Sequence, residues 1–192
     1  LSMGYGNWDQ WWGPGIHNSL VMSNNAQGIP HYFVGTLDYQ PLVKDLKYYF
    51  KYMVSQPMIN NVDVEYFLSS YYFNLNYKNI ELGKIRHILN GGYSDLLWSL
   101  NDALNVFFTE KNMKYWDEIV DYYISATFPS VALKIFLEVG FPIRSFGGKN
   151  PEVYHDHTMG SNLGLRKYGA FGYDAIMFGF EYTRLVQSIY YN

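Results

Sequence analysis

Strand-length segments in which apolar and polar residues alternate constrain the fold of this chain more than any other feature of its sequence. The clearest of them places Leu46, Tyr48, Phe50, Tyr52 and Val54 on one face and Lys47, Tyr49, Lys51 and Met53 on the other. Two lysines on one face are costly in a dry core but cheap in a wet lumen, because a buried charge loses its hydration. The pattern therefore predicts a membrane β-strand with one face toward lipid and the other toward water.

Further alternating segments predict an antiparallel sheet that covers most of the chain. Residues 62–77 change parity at Ser69–Ser70, which predicts a β-bulge there. Two alternating runs on either side of Pro129–Ser130 predict a hairpin, and residues 174–186 predict another strand. Residues 80–88 resemble a strand whose faces the pattern does not assign, since cations share parity with apolar residues. We predict about eight to ten strands, joined alternately by short turns and long loops as in outer-membrane barrels.

One segment departs from the period of two. Leucines and phenylalanines between Ser94 and Phe108 recur at helical spacing, and Ser94 is a suitable N-cap followed by an acidic first turn. We predict one short amphipathic helix here, in an extracellular loop folded over the mouth of a barrel. No run in the sequence approaches the roughly 18 apolar residues that a transmembrane helix needs.

The composition excludes several classes of protein. Cysteine is absent, which excludes disulfide scaffolds, thiolate metal sites and cysteine nucleophiles. The net charge is −3 and lysine and arginine form no cluster, so we expect no nucleic-acid partner. Aromatic residues make up 20% of the chain and charged residues only 16%, which suits a surface that meets apolar surroundings. A soluble all-β protein with an aromatic core remains the alternative at this point.

A run of aromatic residues, glycine and proline near the start of the chain is the most specific pattern in the sequence. Trp11 to Gly15 reads Trp-Trp-Gly-Pro-Gly, and Ser19-Leu20, Ser23 to Ala26 and Pro30 follow it. Gly-Pro-Gly cannot continue a helix or lie inside a central strand, and small polar residues stabilise turns. The run therefore predicts an irregular, heavily hydrogen-bonded loop. Its pattern resembles the signature of the Wzi-like capsule assembly family, which are bacterial outer-membrane β-barrel proteins.

Weaker similarity to this family continues through residues 81–83 and 179–183, so the resemblance spans most of the chain. It implies that residues 1–192 are part of a single all-β domain, a transmembrane antiparallel β-barrel. In this family a periplasmic helical segment precedes the barrel and further strands follow. Residues 1–5 resemble the middle of a strand and residues 188–192 end without a turn, so we expect an internal fragment of a longer chain.

The resemblance also implies a function. Members of the family hold capsular polysaccharide at the cell surface, so we expect a lectin-like protein of the bacterial outer membrane that binds capsular or another exported polysaccharide. The expected partners are this polysaccharide and outer-membrane lipid, the barrel is expected to be monomeric, and no cofactor is expected. Two alternatives remain open: a porin or transport channel whose lumen charges set selectivity, and, less favoured, a barrel enzyme that acts on glycans.

The candidate polysaccharide-binding residues lie in and around the tryptophan-rich run: Trp8, Trp11, Trp12, His17, Asn18, Asn24 and Asn25. An indole ring can stack on the apolar face of a sugar while the hydroxyl groups of the sugar bond to amides. The structural alternative places the tryptophans in an aromatic girdle at the membrane interface. In that alternative the asparagines bond to the backbone of their own loop.

Metal binding and catalysis have weaker support in the sequence. His155 and His157 lie on one face of an extended segment, but no third ligand is evident, so we expect no metal. A glycosidase needs two carboxyl groups at a set distance, which sequence spacing does not establish. The candidate acids are Asp9, Asp63, Glu65, Asp121, Glu138 and Glu181. Ion pairs with Lys47, Lys51 and Lys134 account for these acids, and Gly-x-Ser-x-Gly is absent, so we expect no catalytic residue.

Overall fold

One antiparallel β-sheet contains all eleven strands of the computed structural model. The structure describes residues 1–22, 28–56, 58–59, 65–91, 104–107, 117–144, 159–169 and 172–185. The strands are β1 (Ser2–Gly6), β2 (His31–Gly35), β3 (Gln40–Val43), β4 (Leu46–Ser55), β5 (Met58–Ile59), β6 (Glu65–Tyr77), β7 (Ile80–Gly91), β8 (Asp117–Phe128), β9 (Leu133–Arg144), β10 (Gly160–Tyr168) and β11 (Met177–Leu185). The prediction of an all-β, antiparallel fold is confirmed.

The order of the strands follows the chain closely. Nine strands pair in the order β1-β2-β4-β6-β7-β8-β9-β10-β11, while β3 pairs with β4 and β5 pairs with β6. The predicted strand count thus fits the continuous path, and the sequence did not predict the two short strands β3 and β5. Within the described ranges, the outermost strands β1 and β11 do not pair with each other.

The connections alternate between short and long, as predicted. β6 and β7 are joined by Lys78–Asn79, and β8 and β9 by a 3₁₀ turn at Pro129–Val131 followed by Ala132. Lys78 and Ala132 have positive φ angles of 53° and 47°, which allow the chain to reverse within these few residues. We call this edge of the sheet the short-turn end. The opposite edge, where residues 7–30, 92–116 and 145–159 connect the strands, is the long-loop end.

The two faces of the sheet differ in character. One face, which we call the inner face, carries a row of residues in register across seven strands: Tyr49, Asn74, Gly83, Tyr123, Glu138, Asn162 and Thr183. Asn74, Glu138 and Asn162 are completely buried there. The opposite, outer face carries large apolar residues that are exposed, such as Ile124 and Phe180. The predicted alternation over residues 46–54 is confirmed, because Tyr49 pairs within the inner row.

The predicted bulge at Ser69–Ser70 is wrong. β6 keeps one register with β7 from Tyr66 to Tyr77 without interruption. The parity of apolar residues changes here for a different reason, since both faces of this part of β6 are covered. The Ser70 hydroxyl lies on the inner face, 2.5 Å from Nδ1 of His87. Residues 62–64, the start of the predicted strand, lie outside the described residues.

The described part of residues 94–108 lies against the outer face and not over the mouth of a barrel, and it forms a 3₁₀ turn where an amphipathic helix was predicted. Of residues 94–108, the structure describes Leu104–Phe107, with a 3₁₀ turn at Asn105–Phe107. The ring of Phe107 stacks on Tyr71, with centroids 5.4 Å apart, and Val106 is completely buried. In the part of the chain that the structure describes, no helix has the length and apolar character of a membrane span.

This covering segment explains the outward cations of β7. Nη1 of Arg86 donates to the Val106 carbonyl at 2.8 Å, and its Nε lies 2.5 Å from Oε1 of Glu118. Lys84 lies over the rings of Tyr71 and Tyr122, 5.9 and 5.4 Å from their centroids. Each cation therefore has a partner on the outer face, which the alternation pattern alone does not reveal.

Candidate functional site

Residues 10–22, which we call the inner loop, lie across the inner face of the sheet. The Trp12 N–H donates to the Met22 carbonyl at 3.2 Å, which closes the loop with one antiparallel bridge. The Ser19 hydroxyl donates to the Trp12 carbonyl and accepts from the Met22 N–H at 3.4 Å. The predicted hydrogen-bonded loop at the Trp-Trp-Gly-Pro-Gly run is thus present, and its tip is formed by residues 16–18.

Trp12 is the main apolar anchor of the inner loop. Its indole stacks on the rings of Tyr72 and His87, with centroids 5.8 and 5.3 Å away, and only 2% of the residue is exposed. It belongs to a buried cluster with Met53 and Ile85 on the inner face. This burial favours a structural role for Trp12, because neither face of its ring is open to a sugar.

Gln10 connects the inner loop to the first strands of the sheet. Its Oε1 accepts from Nε1 of Trp12 at 3.2 Å and from Nζ of Lys51 at 2.6 Å. Its Nε2 lies 3.2 Å from Nε2 of His31, whose Nδ1 lies 2.6 Å from the Ile29 carbonyl. This network assigns the His31 proton to Nδ1, because a carbonyl can only accept. Among the described residues Lys51 bonds to this amide and not to an acid, contrary to the prediction.

Glu181 on β11 holds the tip of the inner loop. Its Oε2 accepts from the backbone N–H groups of Ile16 and His17 at 2.8 and 2.9 Å, and its Oε1 accepts from that of Asn18 at 3.0 Å. The Asn162 amide donates to the same carboxylate at 2.8 Å and to the Asn18 carbonyl at 3.0 Å. One carboxylate thus satisfies three consecutive N–H groups that the irregular loop leaves without partners.

Leu20 of the inner loop contacts Glu138 and two glycines of the sheet. The Leu20 N–H donates to Oε1 of Glu138 at 3.4 Å. A Cβ atom on Gly13 would lie 2.6 Å from that oxygen, and Gly13 has a φ of +117°, which a side chain would strain. Gly140 and Gly160 pair across β9 and β10, and the Leu20 side chain lies directly over both. Glycine is therefore required at Gly13, whereas a Cβ on Gly140 would make only ordinary contact with Leu20 at 3.6 Å.

A polar cluster around Glu81 lies on the inner face toward the short-turn end. Five side chains donate to its carboxylate: Tyr39 at 2.8 Å, Asn74 at 2.6 Å, Tyr123 at 3.1 Å, Ser125 at 3.0 Å and Lys134 at 3.3 Å. The contact with Lys134 is an ion pair, but the predicted lysine partners were for other acids of the inner face and not for Glu81. Burial raises the pKa of Tyr39, and its hydrogen bond to Glu81 raises that pKa further.

The inner loop separates two cavities of similar size. The long-loop cavity, of about 250 Å³, is lined by Trp8, Asp9, Gln10, His31 and neighbouring apolar residues. The short-turn cavity, of about 240 Å³, is lined by Gln10, Trp11, Trp12, Tyr39, Tyr49, Lys51 and Tyr72. Each cavity thus combines aromatic rings with a few polar groups, which is the usual composition of a small-ligand site.

The structure describes five of the seven predicted binding residues, and their surroundings differ. Trp8 is 46% exposed, with its edge against His31 and Phe33, and Trp11 is half-buried. His17 and Asn18 are exposed, although their backbone N–H groups bond to Glu181. Asn24 and Asn25 lie outside the described residues. Sugar binding by these residues stays a prediction.

Several residues that position the loop were not predicted as part of the site: Gln10, Glu138, Asn162 and Glu181. The signal in the sequence was the inward parity of Glu138, Asn162 and Glu181 on alternating strands, whereas Gln10 lies outside the strands and has no such signal. In the described ranges, no group of three or more His, Cys, Asp or Glu side chains is placed to hold a metal ion. His155 and His157, the predicted weak metal pair, lie outside those ranges, as does Asp63.

No protein-family model, curated protein or solved structure matches this chain. The similarity of the Trp-Trp-Gly-Pro-Gly run to the capsule assembly family therefore stays a prediction.

Proposed function

We propose that this chain is part of a bacterial outer-membrane β-barrel of the Wzi-like capsule assembly family, and that it binds capsular or another exported polysaccharide and attaches it to the cell. The observation that carries the membrane part is the inverted distribution of polarity. Polar and charged side chains such as Asp121 and Glu138 are completely buried on the inner face, while large apolar side chains are exposed on the outer face.

Two complete rows of the outer face are apolar or aromatic. The first joins Tyr48, Leu75, Leu82, Ile124, Leu137, Leu163 and Tyr182 in register across seven strands. The second joins Leu46, Tyr77, Ile80, Ala126, Ile135, Leu165 and Phe180. Single exposed apolar residues are common on soluble proteins, but a continuous band of them indicates contact with an apolar phase. Lipid is the apolar phase that best suits such a band on an antiparallel sheet.

The inner loop supports the barrel part of the proposal. A single short segment contacts Lys51 on β4 at one side of the sheet and Glu181 on β11 at the other. A segment this short can contact both strands only if the sheet curves around it, as the wall of a barrel does. We propose that the curved wall closes with strands beyond those described.

The aromatic residues at the long-loop cavity support binding of a sugar. Trp8 presents part of its indole beside Asp9 and Gln10, and this edge of a barrel with long loops is the extracellular one. Weak contacts of this kind gain strength when one long polymer engages many copies of the protein. Glu138 and Glu181 bond to the inner loop, which favours binding without turnover over catalysis. The inner loop also lies where a channel would need an open path, which disfavours a porin.

The membrane part of the proposal can be tested by spin labelling, since the chain has no cysteine. Tyr182→Cys and Leu163→Cys, both on the outer apolar rows, should carry labels that are accessible to dissolved oxygen and shielded from a water-soluble nickel chelate. Ser130→Cys in a short turn is the control, and its label should be accessible to the chelate. Outer-row labels that are as accessible to the chelate as the turn label would contradict the proposal.

The binding part can be tested in cells by replacing the half-exposed tryptophans. Trp8→Ala with Trp11→Ala should release polysaccharide from the cell surface into the medium while the protein still assembles in the membrane. Trp12 is left unchanged, because its burial makes loss of folding the expected result of replacement. Tyr168→Ala, an exposed aromatic residue at the short-turn end, is the control and should retain polysaccharide. Normal retention in the double variant would contradict the binding proposal.

A further inference from the structure

We propose that the short-turn cavity binds an acidic sugar unit, with the ammonium group of Lys51 facing the carboxylate of a uronic acid. The inference goes beyond the proposed function: the cavity lies on the short-turn side of the inner loop, so the acidic sugar reaches it from that side and not from the polymer at the long-loop end. It concerns the face of the inner loop opposite to Trp8.

The charge of Lys51 is the first argument. Lys51 is half-buried, and its Nζ donates to Oε1 of Gln10 at 2.6 Å. Among the described lining residues of the cavity it is the only charged one. Glu81, the nearby acid of the inner face, is already paired with Lys134 at 3.3 Å. An ammonium group has three donors. Among the described residues, Nζ of Lys51 has one hydrogen-bond acceptor and lies 5.4 Å from the centroid of the Phe33 ring, so an anion would add a charge-assisted hydrogen bond.

The aromatic walls of the cavity are the second argument. The rings of Tyr39 and Tyr49 are tilted by 52° with centroids 5.9 Å apart, and Tyr49 and Tyr72 are tilted by 60° at 5.5 Å. Together with Trp11 they form an angled surface with phenol groups at its edge. A pyranose has an apolar face for such rings and hydroxyl groups for the phenols.

The volume of the short-turn cavity and the difference in charge between the two cavities also favour an acidic sugar unit. At about 240 Å³ the cavity is smaller than the roughly 300–1,000 Å³ of sites for drug-sized ligands, which suits one sugar unit. The long-loop cavity on the other side of the inner loop is lined by Asp9 and His31 and not by Lys51. An acid on the wall disfavours a carboxylate, so the two sides of the loop differ in the sugar that each accepts.

The test compares two oligosaccharides of equal length on the full chain in detergent micelles. Tetragalacturonate should bind about tenfold more tightly than neutral maltotetraose, which is the effect of one charge-assisted hydrogen bond. Lys51→Gln should remove this preference and leave maltotetraose binding unchanged. Lys51→Arg should keep it. Lys47→Gln, which removes an exposed lysine from the same face of β4, is the matched control and should bind both oligosaccharides as the unmodified chain does.

Three results would overturn the inference. The first is equal binding of the two oligosaccharides, including no binding of either. The second is an equal effect of the Lys51→Gln and Lys47→Gln substitutions. The third is displacement of tetragalacturonate by inorganic phosphate at the same concentration, which would indicate an anion site without sugar recognition. The cellular assay with Trp8→Ala alone decides the proposed function separately, because Trp8 lines the long-loop cavity and not the short-turn cavity. Release of polysaccharide in that assay together with any of these results would leave the proposed function standing without the acidic site.

Discussion

Replacing Glu181 with alanine should detach the tip of the inner loop without unfolding the sheet. The carboxylate accepts from the N–H groups of Ile16, His17 and Asn18 at 2.8, 2.9 and 3.0 Å. A hydrogen bond to a charged group contributes roughly 1.5–3 kcal/mol when it is buried. Two of these three are exposed to water, so we count about 1 kcal/mol for each. The variant should therefore lower the free energy of local opening by about 3 kcal/mol.

Hydrogen exchange of individual amides measures this opening directly. A change of about 3 kcal/mol corresponds to roughly 100-fold faster exchange at Ile16, His17 and Asn18. The Trp12 amide should keep its protection, since it donates to the Met22 carbonyl and not to the carboxylate. The two amides therefore report separately on the tip and on the base of the loop.

Two further variants sharpen the result. Glu181→Gln keeps one oxygen acceptor without the charge and should give an intermediate rate. Thr183→Val removes a hydroxyl that accepts from the Asn18 side chain at 3.3 Å and leaves the three backbone bonds in place, so the tip should stay protected. Unchanged exchange in Glu181→Ala would refute the reasoning. Equal acceleration at Trp12 would also refute it, since the carboxylate would then stabilise the whole sheet and not the tip.

Two other substitutions test how the faces of the sheet are packed. Gly83→Ala should lower the urea midpoint, at a cost of roughly 1–3 kcal/mol, because the new Cβ would lie 1.9 Å from the buried ring of Tyr123. Gly140→Ala, with a nearest contact of 3.6 Å, should change the midpoint little, and equal effects would contradict this account. Arg86→Met should cost about 3–5 kcal/mol by leaving Glu118 buried without its partner. Adding Glu118→Leu should restore most of the loss, and a double variant as unstable as the single one would argue against the ion pair.

The strands themselves were largely predictable from the sequence. Period-two alternation correctly predicted β4, the hairpin of β8 and β9, and the faces of β11, because each of these strands has one polar and one apolar side. The same rule failed on β6 and β7. There the outer face is covered by Val106 and Phe107, so polar residues on that face are buried. The alternation of polar and apolar residues therefore no longer indicates which face of the strand is exposed.

The candidate site was only partly predictable. The Trp-Trp-Gly-Pro-Gly run indicated an irregular loop with many hydrogen bonds, and that part is confirmed. The acceptors of those bonds were not predicted, because Glu138 and Glu181 lie more than a hundred residues away along the chain. Local periodicity places such acids on a face but does not show which loop covers them. Gln10 was not predicted either, because it lies outside the strands and no alternation of polar and apolar residues assigns it to a face.

The contact between Ile16 and Glu181 spans 165 residues of sequence, so it also constrains the order of assembly. Pairing of neighbouring strands closes short stretches of chain and precedes contacts between distant segments, which carry a larger entropic cost. The tip of the loop therefore reaches its final place only after the last described strand has joined the sheet. Before that step, the N–H groups of Ile16, His17 and Asn18 lack the carboxylate acceptor of Glu181. Docking of the loop tip is therefore a late step in folding that requires the intervening strands to have paired in register.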